Sequence, residues 1–270
     1  MKFITILILT SFMLIGCQQE PNPTDELKTS EKRLEAKAPI EISEEETDKD
    51  EETKTGDNTE EDIQLPEEDK NSNAEMVVVE NPNSIEVMVN KQRRLPDGFE
   101  PTDLVVPDVP FSFSEDHPKK QMQKEAAKAL EEMFDAAEEA QLELVAASGY
   151  RAYGTQKAIY EYNVETHGQD YANRFSAKPG TSEHQTGLAM DVTTAEVAFA
   201  LEQSFSQTDE GEWLEEHAHE FGFIIRYPEG KESITGYSYE PWHLRFIGEE
   251  IATEIHENSI TLEEFFGYGY

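Results

Sequence analysis

The stretch Ser182-Glu183-His184-Gln185-Thr186-Gly187-Leu188-Ala189-Met190-Asp191, answered much later in the chain by Glu240-Pro241-Trp242-His243, concentrates the metal-binding chemistry of this sequence. Two imidazoles and one carboxylate are the three-ligand set of catalytic zinc, which leaves a fourth position for water or substrate. Structural zinc is usually closed off by thiolates, and the single cysteine, Cys17, lies far from this run. His184 and Asp191 are seven apart, a spacing that would share one face of a helix. Gly187 and the alternation Leu188, Met190, Val192 favour a strand instead. In a strand an odd separation turns side chains to opposite faces. The expectation is therefore a loop at His184 leading into a strand that carries Asp191, with Gly187 at the bend. Pro241 and the alternation Trp242, Leu244, Phe246 also argue against a helix around Glu240 and His243. The roles separate on this reading. His184, Asp191 and His243 are the ligands, while Glu240, near the metal without binding it, takes a proton from the attacking water.

Outward from this centre, 270 residues allow one domain plus extra segments. Residues 1–16 carry one lysine and then an apolar run that is too short to span a bilayer and suits a signal-peptide core. The run ends Leu14-Ile15-Gly16-Cys17 and resembles a bacterial lipoprotein box. That resemblance implies lipidation of Cys17 and attachment to the outer face of the cell membrane. From Gln18 to Glu75 there are 21 acidic and 7 basic residues, a net of −14, with few branched or aromatic apolar residues. Such a segment cannot bury enough surface to offset its chain entropy. Residues 17–75 are expected to be a disordered acidic stalk and 76–270 the folded domain. One cysteine allows no disulfide framework. A net charge of −36 offers no basic footprint for nucleic acid.

Within the domain, residues 76–79 and 85–89 read as two strands around the turn Asn81-Pro82-Asn83-Ser84. The proline-rich piece 95–110 is expected to wrap the domain. Pro118 opens a helix on which Met122, Ala126, Ala129, Met133 and Ala137 form an apolar stripe. A strand over 142–147 delivers Ser148-Gly149-Tyr150-Arg151 at its end, and 153–175 is helical. Thr193 and Glu196 suggest a capping box for a short helix with Val197, Leu201 and Phe205. A helix over 211–221 stops at Gly222. Its His217 and His219 are read as helix residues rather than ligands, because a complete set exists elsewhere. Strands follow over 223–227 and 239–246. The chain closes in an amphipathic helix, with Thr261 and Glu264 as a second possible capping box. Strands separated by helices leave open a parallel α/β or an α+β layout. A guanidinium at a strand end, as at Arg151, suits clamping of a terminal carboxylate or stabilisation of an oxyanion.

The pattern SxHxxGxAxD followed by ExxH, here Ser182, His184, Gly187, Ala189, Asp191, Glu240 and His243, resembles the VanY-type D-alanyl-D-alanine carboxypeptidases of the lysostaphin/carboxypeptidase/hedgehog zinc fold. Supporting blocks are Val89-Asn90-Lys91 with Leu95-Pro96, Ser148-Gly149-Tyr150-Arg151 with Gln156, and the run Phe221 to Pro228. The resemblance implies an α+β fold in which a small antiparallel sheet carries a Zn2+ site and is flanked by helices. It implies substrate contact by Arg151, Gln156, Ser182 and Ser148, with Arg151 also serving catalysis. Positions matching Tyr227 and Trp242 line the family's pocket, and aromatic core packing is the alternative for both. The implied activity is D,D-carboxypeptidase trimming of peptidoglycan stem peptides; a monomer is expected, although the sequence itself does not fix the oligomeric state. Three alternatives stay open: an L,D bond in a tetrapeptide stem, an endopeptidase cut, and a lipid-anchored wall-binding protein without turnover.

Overall fold

The structure is a computed structural model that describes residues 76–268. The expected signal segment, Cys17 and the acidic stretch 17–75 lie outside the described residues. The described chain begins with two short pairings. β1 (Val77–Val78) runs parallel to β2 (Arg93–Arg94), and β3 (Leu104–Val105) runs antiparallel to β4 (Met122–Gln123). The expected hairpin between 76–79 and 85–89 is not formed. The carbonyls of Ile85 and Val87 instead accept from the buried guanidinium of Arg245, at 2.8 and 2.5 Å. A buried arginine must satisfy its donors, and this segment supplies the acceptors.

Pro118 opens only a single 3₁₀ turn, Pro118–Lys120, and α1 (Lys124–Glu139) starts later than the periodicity suggests. Met122 belongs to β4, because the next residue is tied to the zinc-type run. Gln123 donates its backbone N–H to the Gly187 carbonyl and its side-chain amide to the Thr186 carbonyl, each at 2.7 Å. From Lys124 onward α1 buries Ala126, Ala127, Leu130, Met133, Phe134 and Ala137.

β5 (Val145–Ser148), β6 (Ala189–Thr193), β7 (Phe223–Tyr227) and β8 (Glu240–Phe246) form the central sheet in the order β5-β6-β8-β7, with every neighbouring pair antiparallel. This is the expected α+β architecture. Leu188, Met190 and Val192 enter the same core cluster as the α1 stripe. The two-residue alternation of a strand then sends Asp191 to the opposite face. Between β5 and β6 stand α2 (Tyr153–His167) and α3 (Gln169–Phe175), separated at Gly168, whose φ of 89° no ordinary helical residue adopts.

The short helix expected after Thr193 is absent. Two 3₁₀ turns, Ala195–Val197 and Gln203–Gln207, take its place, with Ala198 and Phe199 left-handed between them. The Thr193 hydroxyl donates to the Ala200 carbonyl at 2.9 Å instead of capping a helix. α4 (Asp209–His217) runs into a 3₁₀ turn that stops at left-handed Gly222. α5 (Glu232–Thr235), α6 (Glu249–Asn258) and α7 (Leu262–Phe266) complete the described chain. The Thr261–Glu264 capping box is present at the start of α7. A second apolar cluster of Met88, Ile224, Ile247, Ala252, Ile255 and Leu262 seats α6 and α7 on β7.

Candidate metal centre

His184 sits in a 3₁₀ turn, Glu183–Thr186, that ends at left-handed Gly187, with φ 71°. Asp191 is the middle residue of β6, and β8 places His243 directly opposite it. The three side chains are buried, and one donor atom from each lies within 4.8 Å of the others. Asp191 reaches both imidazoles: Oδ1 is 3.0 Å from His243 Nδ1, and Oδ2 is 3.4 Å from His184 Nε2. His184 Nδ1 is 2.8 Å from the Gly149 carbonyl, which sets this imidazole to present Nε2 to the centre. Gly149 tolerates no side chain, because a Cβ there would stand 2.5 Å from the Gln121 carbonyl oxygen.

Glu240 and His243 are three apart on a strand, yet both face this centre. The register between β7 and β8 explains it. Ile225 pairs with Leu244 and Tyr227 with Glu240, so β8 carries extra residues around Pro241 and Trp242. A bulge re-aims side chains in this way, and it accommodates a proline that a regular ladder would reject. A second irregularity, between Ala146 and Ser148, sets Ser148 opposite Asp191.

Glu183, which the motif spacing does not mark, also belongs to the site by its contacts. Fully buried, it places Oε2 3.4 Å from His243 Nε2, and its Oε1 accepts from Arg226 Nε at 2.7 Å and Arg245 Nη1 at 2.8 Å. Arg226 in turn grips Glu263 of α7 with two bonds, at 2.8 and 2.6 Å. Two carboxylates and two guanidiniums thus balance in charge beneath the metal-type site. A second carboxylate behind a ligating imidazole orients the ring and raises its basicity. In the sequence Glu183 offered only its place between Ser182 and His184.

The ionisable groups are driven apart by their surroundings. Burial pushes His184 down to about 3, against the pull of Asp191, so it is neutral. His243 suffers burial too, but its hydrogen bonds to Asp191 and Glu183 raise it to about 9. Burial opposes the charge on Asp191, but the His184 and His243 imidazoles beside it hold the carboxyl below its usual value. Burial also opposes the charge on Glu183, and Arg226 and Arg245 overcome it, keeping this carboxyl well below the usual carboxylate range. Glu240 goes the other way. Burial, with Asp191 and Glu183 adding to it, lifts it to about 7, where a carboxyl can exchange protons at neutral pH.

A cavity of about 130 Å³ opens onto these groups, and Arg151, Gln156, Ser182 and Tyr227 are among the expected residues that line it. Tyr237, which the sequence did not single out, lines it as well and packs on Tyr227, with ring centroids 4.7 Å apart. Arg151 Nη1 donates to Gln156 Oε1 at 3.0 Å and Nη2 to Ser148 Oγ at 3.2 Å. Gln156 donates in turn to the Ala177 carbonyl at 2.7 Å. Two expected substrate contacts, Ser148 and Trp242, do not line this cavity, and Ser148 meets Arg151 instead. Trp242 packs on the main core, on the strand face it shares with Leu244 and Phe246. His217 packs on Trp213 with tilted rings and pairs with Glu220, and His219 stacks on His256. A larger cavity, about 460 Å³, borders β7 and α6 and includes none of the three candidate ligands.

One carboxylate and two imidazoles on a small antiparallel sheet, with an unligated carboxyl and a guanidinium at the same cavity, define the class of zinc peptidases. The donor set fits zinc: two nitrogens and an oxygen, hydrogen-bonded from behind. Residues 119–249 match the sequence model of VanY, D-alanyl-D-alanine carboxypeptidase. The Bacillus subtilis protein YodJ is 50% identical over 188 residues, which cover 70% of this chain and 69% of YodJ. Among solved structures, the LD-carboxypeptidase LdcB is 49% identical with a TM-score of 0.70, covering 72% of this chain and 91% of LdcB. The vancomycin-resistance D,D-pentapeptidase VanY, solved as a variant with Zn(II), is 32% identical with a TM-score of 0.55, covering 67% of this chain and 98% of that one. The chain belongs to the VanY carboxypeptidase family. It is a zinc metallo-carboxypeptidase.

Proposed function

We propose that this enzyme removes the C-terminal D-alanine from peptidoglycan stem peptides and that the bond it cuts is the L,D bond of a tetrapeptide stem. The observation that carries the carboxypeptidase reading is the meeting of His184, Asp191 and His243 with Arg151 and Glu240 around one small cavity. The likeness to LdcB, 49% against 32% for the D,D-pentapeptidase, favours the L,D bond. The family description favours the other reading, a D,D cut in a pentapeptide stem.

Zinc held by His184, Asp191 and His243 would supply a Lewis acid that makes water nucleophilic at neutral pH. Glu240, buried and lifted to about 7, accepts the proton of the attacking water and returns it to the leaving D-alanine amine. Arg151, aimed by Ser148 and Gln156, offers its guanidinium to the substrate's terminal carboxylate or to the oxyanion of the scissile carbonyl. In that arrangement Ser148 and Gln156 act through Arg151. Tyr227 and Ser182 close the cavity around the terminal residue. The short apolar run ending at Gly16-Cys17 supports placing the enzyme at the outer membrane face through lipid on Cys17, with the acidic stretch as tether; release of a Cys17→Ser variant into the medium is the expected result.

The test is mass-resolved digestion of purified tetrapeptide and pentapeptide muropeptides by zinc-loaded enzyme, with Glu240→Ala alongside. Loss of one D-alanine from the tetrapeptide alone is the expected result. Loss from the pentapeptide alone assigns the D,D bond. Shortening of neither stem refutes the carboxypeptidase reading and leaves a wall-binding protein.

A further inference from the structure

Three aromatic rings stand in series beside the catalytic cavity. Tyr171 and Phe175 are four apart on α3, the spacing that sets side chains one above another on a helix, and His167, the last residue of α2, extends the row across the break at Gly168. Ring centroids are 4.5 Å apart between His167 and Tyr171 and 4.7 Å apart between Tyr171 and Phe175. Tyr171 is 41% exposed and Phe175 48%, so neither serves the core. Burial on α3 falls to Ala172. The helix is fixed to α2 by other means: the Tyr160 hydroxyl donates to Asn173 Oδ1 at 2.6 Å and accepts from Gln169 Nε2 at 2.6 Å. The row is therefore held in place without being covered, which is how a preorganised contact surface looks. It also has a direction. Phe175 lines the catalytic cavity together with Ile159 and Asn163, so the row begins at the cavity wall and runs away from it along α3.

We infer that this row is a subsite for a sugar ring of the glycan strand from which the stem peptide hangs. The inference rests on the stem-peptide reading of the catalytic site. A tetrapeptide whose C-terminal residue sits at Arg151 has three further residues before its sugar, an extended span of about 10 Å, and Phe175 on the cavity wall opens a route of comparable length along the row. Aromatic faces are electron-rich and attract the polarised C–H face of a pyranose, while a tyrosine hydroxyl and an imidazole meet the sugar's own hydroxyls at the edges. The α2–α3 segment carries Lys157 and Arg174 against Glu161, Glu165 and Asp170, a net of −1, so the surface is close to neutral and suits an uncharged sugar better than a charged polymer.

The test compares kcat/KM for D-alanine release from a free stem peptide and from the same peptide carrying its disaccharide, using full-length zinc-loaded enzyme. The wild type is expected to prefer the disaccharide substrate by about tenfold, and His167→Ala with Tyr171→Ala to bring that ratio near one, while Tyr171→Phe retains it. A wild-type ratio of one, or a ratio that the double variant leaves unmoved, overturns the subsite. Failure to cut either substrate counts against the catalytic reading instead. Binding is then decided by titrating N-acetylglucosamine oligomers and following the Tyr171 ring by NMR, where an unshifted ring overturns the inference. Concentration-dependent dimerisation that the double variant abolishes would assign the row to self-association and overturn it as well.

Discussion

Glu183 and His243 lie sixty residues apart in the chain and meet at 3.4 Å between Oε2 and Nε2. Because Arg226 and Arg245 hold the same carboxylate, the orientation of one candidate zinc ligand depends on a buried charge network.

Replacing Glu183 by Gln keeps the shape and removes the charge behind His243. Zinc affinity is expected to fall by about 10- to 100-fold. Glu183→Ala additionally leaves two buried guanidiniums short of a partner and should destabilise the fold by about 3–5 kcal/mol. Competition against a chromophoric chelator and urea unfolding measure the two effects. Unchanged zinc affinity in a folded Gln variant would remove Glu183 from the site.

Glu263 lies in α7, far in sequence from the catalytic run, yet it holds Arg226 through two bonds. Glu263→Ala should destabilise the protein by about 3–5 kcal/mol, because the lone guanidinium stays buried. A loss under about 1 kcal/mol in chemical denaturation would mean that Arg226 finds another acceptor.

Glu240→Ala should retain zinc and lower kcat by about 10²- to 10⁴-fold, the usual contribution of a positioned acid–base group. Metal content and D-alanine release measured on one preparation check both halves. Loss of zinc with loss of rate would make Glu240 a ligand instead.

Arg151→Lys keeps a positive charge but loses the planar fork that Ser148 and Gln156 aim. A rate loss of about a hundredfold or more is expected. Gln156→Ala should cost less, and Arg151→Ala combined with Gln156→Ala should cost no more than Arg151→Ala alone. Additive losses in that double-mutant cycle would give Gln156 a contact of its own with the substrate.

The metal-free protein should lose stability as pH rises from about 6.5 to about 9. His243 is raised to about 9 from the ordinary imidazole value near 6.5, so its protonated form stabilises the fold fully below 6.5, and that contribution disappears through 9. Glu240, lifted to about 7, acts in the same direction at the lower end of the window. His184 is neutral throughout it. Zinc binding needs a neutral imidazole, so it should release about one proton at pH 7 and tighten with rising pH. Urea unfolding of chelator-treated protein across this range, with proton release by calorimetry, tests the prediction. Flat stability would show that His243 is not protonated in the metal-free site.

The candidate ligands, the bend at Gly187 and the strand carrying Asp191 were legible in sequence because they rest on residue type and short-range pattern: a glycine that tolerates positive φ and two-residue alternation around Asp191. The Thr261–Glu264 box was legible for the same reason, as its bonds span three residues. The Pro118 stripe and the Thr193 box carried the same kinds of local signal but yielded to distant partners. Gly187 and Thr186 claim Gln123, and the Ala200 carbonyl claims the Thr193 hydroxyl.

By itself the sequence determined which side chains this protein offers to a metal and a proton, since donor chemistry belongs to the residue. Only the tertiary structure decided how they work together. The bulge that turns Glu240 and His243 to one side and the charge network from Glu183 to Glu263 both depend on contacts between segments far apart in the chain, and no local pattern records the energy of such contacts.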